Sequence, residues 1–243
     1  MKLSVIVPTW NNANLLTAMV NSMTRIGFFK HNDRELIIVN NGKQPCEKDY
    51  AHIKNLSVVT CEDNRGWEGG LVEGLKVAKG DYVCFQNDDV HIPQNQDDFY
   101  GELMDSFNDD TGMVAPISTT CAGIQSVFHN RTPSELTEVK WIIFLCVMMK
   151  RSVLDAVGGV DETLPGGDDI DLSMRMRIAG YKLYVNPKAF IIHHAFQTGV
   201  RVHGDSDKEG GWNSEKMQEN TNRALIIKHG FIKWAATIQG QHL

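Results

Sequence analysis

The chain has 243 residues, 42% hydrophobic and 22% charged, which suits one full α/β domain with a sizeable core and is too ordinary for a disordered or repeat protein. A formal charge of -6 argues against a nucleic-acid binder, because affinity for a phosphate backbone is built from clustered Lys and Arg. Five scattered cysteines (Cys46, Cys61, Cys84, Cys121, Cys146) without a Cys-x-x-Cys pair, no signal-peptide layout after Met1, and a longest apolar run, Trp141 to Met149, well short of the ~20 residues that cross a bilayer lead us to expect a soluble cytoplasmic protein.

In chain order, Leu3 to Val7 followed by Pro8 is a buried-strand pattern, and Asn12 to Met23 carries helical apolar spacing. Glu35 to Val39 repeats the strand type and ends in Asn40-Asn41-Gly42. Leu56 to Thr60 supplies a third strand, ending in Glu62-Asp63-Asn64. A helix is expected over Gly66 to Lys79 and a fourth strand over Asp81 to Gln86. Strands alternating with helices imply right-handed crossovers, a mainly parallel sheet and loops gathered on one edge. The second half is less regular. It predicts a helix over Phe99 to Phe107, a strand over Gly112 to Pro116, a polar loop over Ser118 to Arg131, a strand over Phe144 to Met149 and a short helix over Arg151 to Val157. An amphipathic helix over Asp169 to Ala179 then precedes two strands, Tyr181 to Val185 and Ala189 to Ile192. A Gly- and charge-rich loop, Gly199 to Gly211, has the length of a lid, and a helix from Ser214 to Lys228 closes the chain.

The stretch Phe85-Gln86-Asn87-Asp88-Asp89-Val90 is the most informative. An apolar strand that stops in two carboxylates sets them at the carboxyl edge of the sheet, where open α/β folds bind ligands. Adjacent acids there either cap the next segment or hold a hard divalent cation, Mg²⁺ or Mn²⁺, together with substrate phosphates. A second acidic group, Gly166-Gly167-Asp168-Asp169-Ile170-Asp171, either caps a helix or offers a general base to an attacking hydroxyl. His193-His194 ends the last strand, where alternation sends the two rings in opposite directions, so that one can face a metal. Arg175 and Arg177 read as ion-paired or solvated, with phosphate as the other option. The apolar and basic stretch Ala224 to Trp234 either packs on the domain or rests on a bilayer.

Eight of these motifs, in order and nearly chain-wide, resemble family 2 nucleotide-sugar glycosyltransferases of the rhamnosyl- or galactosyl-transferase type. They are Val5-Ile-Val-Pro-Thr-Trp-Asn11, Ile38-Val-Asn-Asn-Gly42, Asn64-Arg-Gly66, Ala78-Lys-Gly-Asp81 before Asn87-Asp88-Asp89, Gly159-Val-Asp-Glu162, Asp168-Asp-Ile-Asp-Leu172 with Arg175, Gly180-Tyr181 and His193-His194. The resemblance implies a GT-A fold: a Rossmann-like, mainly parallel sheet flanked by helices, with a smaller mixed sheet on the acceptor side. One domain over 1–243 would comprise a nucleotide-sugar half (1–110), an acceptor and catalytic half (111–198), and a loop with a C-terminal helix (199–243).

By the same resemblance, Pro8, Thr9, Trp10 and Asn11 lie against the nucleotide base, and Asn40-Asn41 stand where the family usually has an Asp for base or ribose. Asp63, Asn64 and Gly66 line the sugar-nucleotide pocket. Asn87-Asp88-Asp89 matches an Asp-x-Asp metal motif with its first acid replaced by Asn, which makes Asp89 the metal ligand and Asp88 the sugar or ribose contact. His193, with His194 close behind, supplies a further ligand. Asp169 becomes the base and Asp168 a sugar-binding neighbour. The implied activity is inverting, Mn²⁺- or Mg²⁺-dependent hexosyl transfer from a UDP- or dTDP-sugar to a glycan or lipid-linked acceptor in polysaccharide biosynthesis, with peripheral contact at the inner membrane face as an option. A weak or inactive sugar-nucleotide-binding protein and a sugar nucleotidyltransferase are the alternatives. The latter usually carries a Gly-rich basic loop after its first strand, and Pro8-Thr-Trp-Asn-Asn12 is not one.

Overall fold

Four apolar runs in the first third of the chain become neighbouring strands in the computed structural model, which describes residues 2–43, 47–194 and 214–239. β1 (Leu3–Thr9) and β2 (Arg34–Asn40) are buried along their whole length, as strands covered on both faces must be. β3 (Leu56–Thr60) lies at the sheet edge and is only partly buried, and β4 (Tyr82–Gln86) is buried beyond its first residue. The remaining strands are β5 (Val90–His91), β6 (Thr111–Ser118), β7 (Thr137–Val139), β8 (Cys146–Lys150) and β9 (Lys182–His193).

The order across the sheet is β3-β2-β1-β4-β8-β6-β9-β5, with β7 also paired to β9. The β3-β2-β1-β4 part is parallel throughout. Antiparallel β8 then joins β4 to β6, β6 and β9 run parallel, and β5 and β7 pair antiparallel with β9. The mixed part, expected as a smaller separate sheet, is therefore a continuation of the same sheet.

Helices α1 (Ala13–Arg25), α2 (Glu47–Tyr50), α3 (Gly66–Val77), α4 (Phe99–Met104), α5 (Arg151–Ala156) and α6 (Asp168–Ile178) cover the strands, and α7 (Glu215–His229) with α8 (Phe231–Ile238) follows. Pleating sends Val5 and Ile6 of β1 into different cores. Val5 joins Leu16 of α1 and Tyr100 of α4, whereas Ile6 joins Leu71 of α3, Leu154 of α5 and Leu172 of α6. The approach of α3 depends on glycine. A Cβ on Gly74 would overlap Ile6 Cγ2, and one on Gly70 would sit 2.8 Å from Asn41 Nδ2.

Three expectations change. The helix from Phe99 stops at Met104, and the expected polar loop after Ser118 contains a 3-10 turn, Gly123–Gln125. The two strands expected over Tyr181 to Ile192 are one strand. Asn186-Pro187-Lys188 suggests a break, but β6 absorbs it by a register shift: Pro116 pairs with Asn186 and Ile117 already pairs with Phe190. The loop Gly199 to Gly211 lies outside the described residues. Among the described residues no helix is long and apolar enough to cross a membrane.

Candidate active site

Parallel pairing puts Thr9, Asn40 and Thr60 in register, so the loops that follow β1, β2 and β3 leave one edge of the sheet together. Asparagines tie these loops to one another. Asn41 Nδ2 donates to the Gly66 carbonyl at 2.8 Å, and Asn11 Oδ1 accepts from Lys43 N at 3.3 Å. Asn40 Oδ1 accepts from Gly42 N at 3.1 Å and Asn64 Oδ1 from Gly66 N at 2.9 Å, each an Asx-type turn. Pro8 and Thr9 are buried, Trp10 is half-buried, and Asn11, Asp63 and Asn64 stand exposed on the rim.

At the end of β4 the two acids part company. Asp88 is buried and turns back toward the β1–α1 junction, accepting Thr9 Oγ1 at 2.6 Å and Asn12 Nδ2 at 3.2 Å. Asp89 faces the other way. β5 pairs antiparallel with the end of β9, Val90 opposite His193, and this register brings the His193 ring to the Asp89 carboxylate, Nε2 to Oδ1 3.2 Å. His193 Nδ1 lies 2.9 Å from the Thr120 carbonyl, which can only accept, so Nδ1 carries the hydrogen and Nε2 directs its lone pair or a second proton at Asp89.

The alignment falls short of a hydrogen bond, and Asp89 Oδ1 is buried with no hydrogen-bond partner. Burial alone would lower the His193 pKa. The Asp89 carboxylate and the Thr120 carbonyl outweigh it and raise that pKa above the ordinary histidine value. A carboxylate oxygen and an imidazole nitrogen at this separation call for a cation between them, a proton or a metal. The pair fits a divalent ion held by Asp89 and His193. Among the described residues no third His, Cys, Asp or Glu completes a protein cage, which leaves further positions for oxygen ligands from a substrate. The His194 ring points elsewhere. It packs edge-on against His91, centroids 5.3 Å apart, while its backbone N–H donates to the Asp89 carbonyl at 3.0 Å.

The second acidic group opens α6. Gly167 caps the helix with φ 76, and a Cβ there would lie 2.8 Å from Thr221 Cγ2, so glycine is needed both for the backbone and for the packing of α7 against this turn. Asp168 Oδ2 accepts Trp67 Nε1 at 3.1 Å, and Asp169 Oδ1 accepts Ile170 N at 2.7 Å. A helix N-terminus favours carboxylates, but burial wins here. Burial first, then the charges of Asp169 and Glu68, hold the Asp168 carboxyl well above the usual range. Burial likewise lifts Asp169, to about 6, against the two backbone hydrogen bonds it accepts. Neighbouring acids driven to different proton affinities are how a site keeps one carboxyl protonated and leaves the other free as a base near neutral pH.

Asp171 has a different task. Fully buried, it accepts Arg175 Nε and Nη2 at 2.9 and 2.7 Å and His229 Nε2 at 2.7 Å, and it faces Lys228 Nζ at 2.7 Å. Lys228 also reaches Asp161 at 2.6 Å, and Arg175 Nη1 donates to the Val157 carbonyl at 2.6 Å. One carboxylate thus ties α6, the 157–161 loop and the end of α7 together, and Arg175 is ion-paired rather than free for phosphate.

The structure gathers Asp88 and Asp89 with His193 on one part of the edge, and Asp168 and Asp169 at the start of α6. Sequence reasoning did not single out Asn12, Thr120, Trp67 and Glu68. Only Trp67-Glu68 left a local signal: an indole and an acid in the first turn of a helix directly after a polar strand end.

A sheet whose parallel half ends in asparagine-tied loops, beside an acid–histidine pair and a half-buried acidic helix start, defines the class of GT-A nucleotide-sugar glycosyltransferases. The family model described as Glycosyl transferase family 2 matches residues 4–157, and the chain belongs to that family. The match includes Asp88 and Asp89 and stops before Asp168, Asp169 and His193. The Pre-mycofactocin glycosyltransferase of Mycobacterium tuberculosis is 27% identical over 209 residues, covering 78% of this chain and 42% of that protein. The poly(ribitol-phosphate) beta-N-acetylglucosaminyltransferase TarS of Staphylococcus aureus is 29% identical over 143 residues, covering 56% and 25%. The chain thus spans less than half the length of either relative.

Among solved structures, Staphylococcus aureus TarS in complex with UDP superposes with a TM-score of 0.64 at 22% identity, over 79% of this chain and 60% of that one. The mannosyltransferase PcManGT of Pyrobaculum calidifontis, in complex with GDP-Man and Mn²⁺, superposes at 0.66 and 18% identity, over 98% and 74%. These likenesses establish the fold.

Proposed function

We propose that the protein transfers a hexosyl group from a nucleoside-diphosphate sugar to a hydroxyl of a glycan or lipid-linked acceptor, with inversion and with a divalent metal. The observation that carries the reading is the pairing of the buried, unbonded Asp89 Oδ1 with His193 Nε2, with Asp168, held by Trp67, and Asp169 together at the start of α6. Relatives crystallised with UDP and with GDP-Man and Mn²⁺ support a nucleotide-sugar donor.

In this mechanism the asparagine-tied loops after β1, β2 and β3, with Pro8, Thr9, Trp10, Asn11, Asn40, Asn41, Asp63, Asn64 and Gly66, receive the nucleotide. Asp88 holds Thr9 and Asn12 in place beneath it, and Asn87 adds a carbonyl oxygen at the strand end. Asp89 and His193 would hold a divalent metal, which would supply positive charge to offset that of a departing diphosphate. Asp169 accepts the proton of the acceptor hydroxyl. The oxygen forms its bond to the anomeric carbon as the bond to the diphosphate oxygen breaks on the opposite face. Asp168, kept protonated beside it and oriented by Trp67, donates to a sugar oxygen without competing for the acceptor proton.

A thermal-shift panel of UDP, dTDP and GDP and their sugars, with and without Mn²⁺, tests the donor side. Ligand at a hundred times its Kd adds roughly 2.7 kcal/mol to native stability, so the right base should raise Tm in the presence of Mn²⁺. A panel without any shift would remove the donor assignment. Anomeric configuration in the product, read by NMR, decides inversion.

A further inference from the structure

The loop that follows β6 carries none of the residues named so far for chemistry, apart from the Thr120 carbonyl, yet it grips one of them. β6 and β9 pair in parallel as far as Ser118 opposite Ile191, and Thr119 N adds one more ladder bond to the Ile191 carbonyl at 3.2 Å. There the ladder changes character. The His193 N–H donates to a side chain, Thr119 Oγ1 at 3.1 Å, while the ring's Nδ1 lies 2.9 Å from the Thr120 carbonyl. Two consecutive threonines thus hold His193 at its backbone and at its ring, which fixes both the place of the ring and the nitrogen left to face Asp89.

Such a grip is only as firm as the loop behind it. The loop is anchored by Gln125, 1% exposed, at the end of the 3-10 turn. Its amide takes both backbone groups of one residue: Oε1 accepts Ile143 N at 2.7 Å and Nε2 donates to the Ile143 carbonyl at 3.3 Å. The backbone on either side of Ile143 serves the other parts of the candidate site. Ile142 N donates to Ser173 Oγ of α6 at 3.2 Å, both residues buried, and the Leu145 carbonyl accepts Asn87 N at 2.9 Å. The segment from Ile142 to Leu145 therefore meets the helix that begins with Asp168 and Asp169, the strand end that carries Asp89 and, through Gln125, the loop that holds His193.

We infer that Thr119 and Gln125 are positioning residues: Thr119 aims His193 Nε2 at a cation beside Asp89, and Gln125 keeps the loop that does so in register with α6. The inference rests on the metal reading proposed above and adds to it two residues that touch neither metal nor substrate. Space filling does not account for them. Valine has the shape of threonine and would occupy position 119 as well, but it offers no acceptor to the His193 N–H. Methionine comes close to the shape of glutamine and needs no partners, whereas a buried amide costs stability unless its oxygen and nitrogen are both bonded, as they are here. What the two polar side chains supply is direction, and a metal ligand depends on direction more than on packing.

Two readouts on the whole chain, neither of which needs a donor sugar or turnover, test this with Thr119→Val, Thr119→Ser and Gln125→Met, each shown by a cooperative thermal transition to be folded. The first is Mn²⁺ affinity from the free-ion signal in electron paramagnetic resonance. Thr119→Val and Gln125→Met should each weaken binding about tenfold, and Thr119→Ser, which keeps the hydroxyl, should bind like wild type. The second is the imidazole ¹⁵N spectrum of His193 in metal-free protein in alkaline buffer, where the ring is neutral, assigned by its loss in His193→Ala. Wild type and Thr119→Ser should show the hydrogen on Nδ1 alone, and Thr119→Val and Gln125→Met a mixture of the two tautomers. Thr119→Val with wild-type affinity and an unmixed tautomer would overturn the role of Thr119, as would a Thr119→Ser protein that loses as much as Thr119→Val. The same unchanged pair of readouts in Gln125→Met would overturn that of Gln125. A wild-type chain that binds no Mn²⁺ would remove the metal reading itself, and the metal-free spectrum tells that failure apart from a failure of the two positioning roles.

Discussion

Burial raises the proton affinity of both Asp168 and Asp169, that of Asp169 to about 6, and the Glu68 charge adds to each. Activity that needs the Asp169 carboxylate should therefore fall as pH drops through about 6, the ascending limb of a pH–rate profile. The effect on stability runs the other way. A carboxyl whose folded pKa is raised favours the fold while protonated, so this contribution is complete below about pH 4 and lost as pH rises through the folded value. Replacing Glu68 by Gln removes one of the charges that raise both acids, and the limb should move to lower pH; a limb that stays in place would separate Glu68 from the pair. For the acid–histidine pair, Asp89→Ala should weaken Mn²⁺ binding about tenfold or more, measured by the free-ion signal in electron paramagnetic resonance. Unchanged affinity would remove Asp89 from the metal site.

Elements matter here through what they hold in place. α7 abuts the Gly166–Gly167 turn and delivers Lys228 and His229 to Asp171, 58 residues earlier in the chain for His229. Asp171→Asn leaves two cations facing a neutral amide in a buried place, and a loss of about 3–5 kcal/mol is expected, read as a lowered denaturation midpoint. Burial would raise the Asp171 pKa, but hydrogen bonds from Lys228, Arg175 and His229 outweigh it and lower that pKa below its ordinary value, so this hub should weaken as pH falls through the lowered value. A stability change below 1 kcal/mol would show that the hub is incidental. Little of it was legible beforehand. Asp168-Asp169-Ile-Asp171 reads as three similar acids, and only long-range partners, Trp67 for one and Lys228 with His229 for another, assign them different work. Arg175 had two open readings for the same reason. By contrast β1 to β4 could be read almost residue by residue, since unbroken apolar runs closed by Pro8, Asn40-Asn41-Gly42 and Asn87-Asp88-Asp89 leave few alternatives to buried parallel strands. Pro187 misled because its partner strand, not its own neighbourhood, decides whether β9 continues.

At the scale of the molecule, the parallel β3-β2-β1-β4 half gathers its loops at one edge, and the mixed half returns His193 and α6 to the same edge. Asp89 and His193 are 104 positions apart in sequence, yet a two-residue strand, Val90–His91, is enough to set them side by side. Motif order across the chain made this convergence legible as a family resemblance; geometry then separated His193, which faces Asp89, from His194, which faces His91. The central claim is that these parts form a transferase whose base is Asp169. The most direct measurement is the rate of nucleoside-diphosphate release from a panel of UDP-, dTDP- and GDP-sugars with Mn²⁺, comparing wild type with Asp169→Asn. A positioned base contributes roughly 10²- to 10⁴-fold, so the variant should lose at least about a hundredfold in rate while still binding the donor. An Asp169→Asn protein that releases the diphosphate at the wild-type rate would contradict the account.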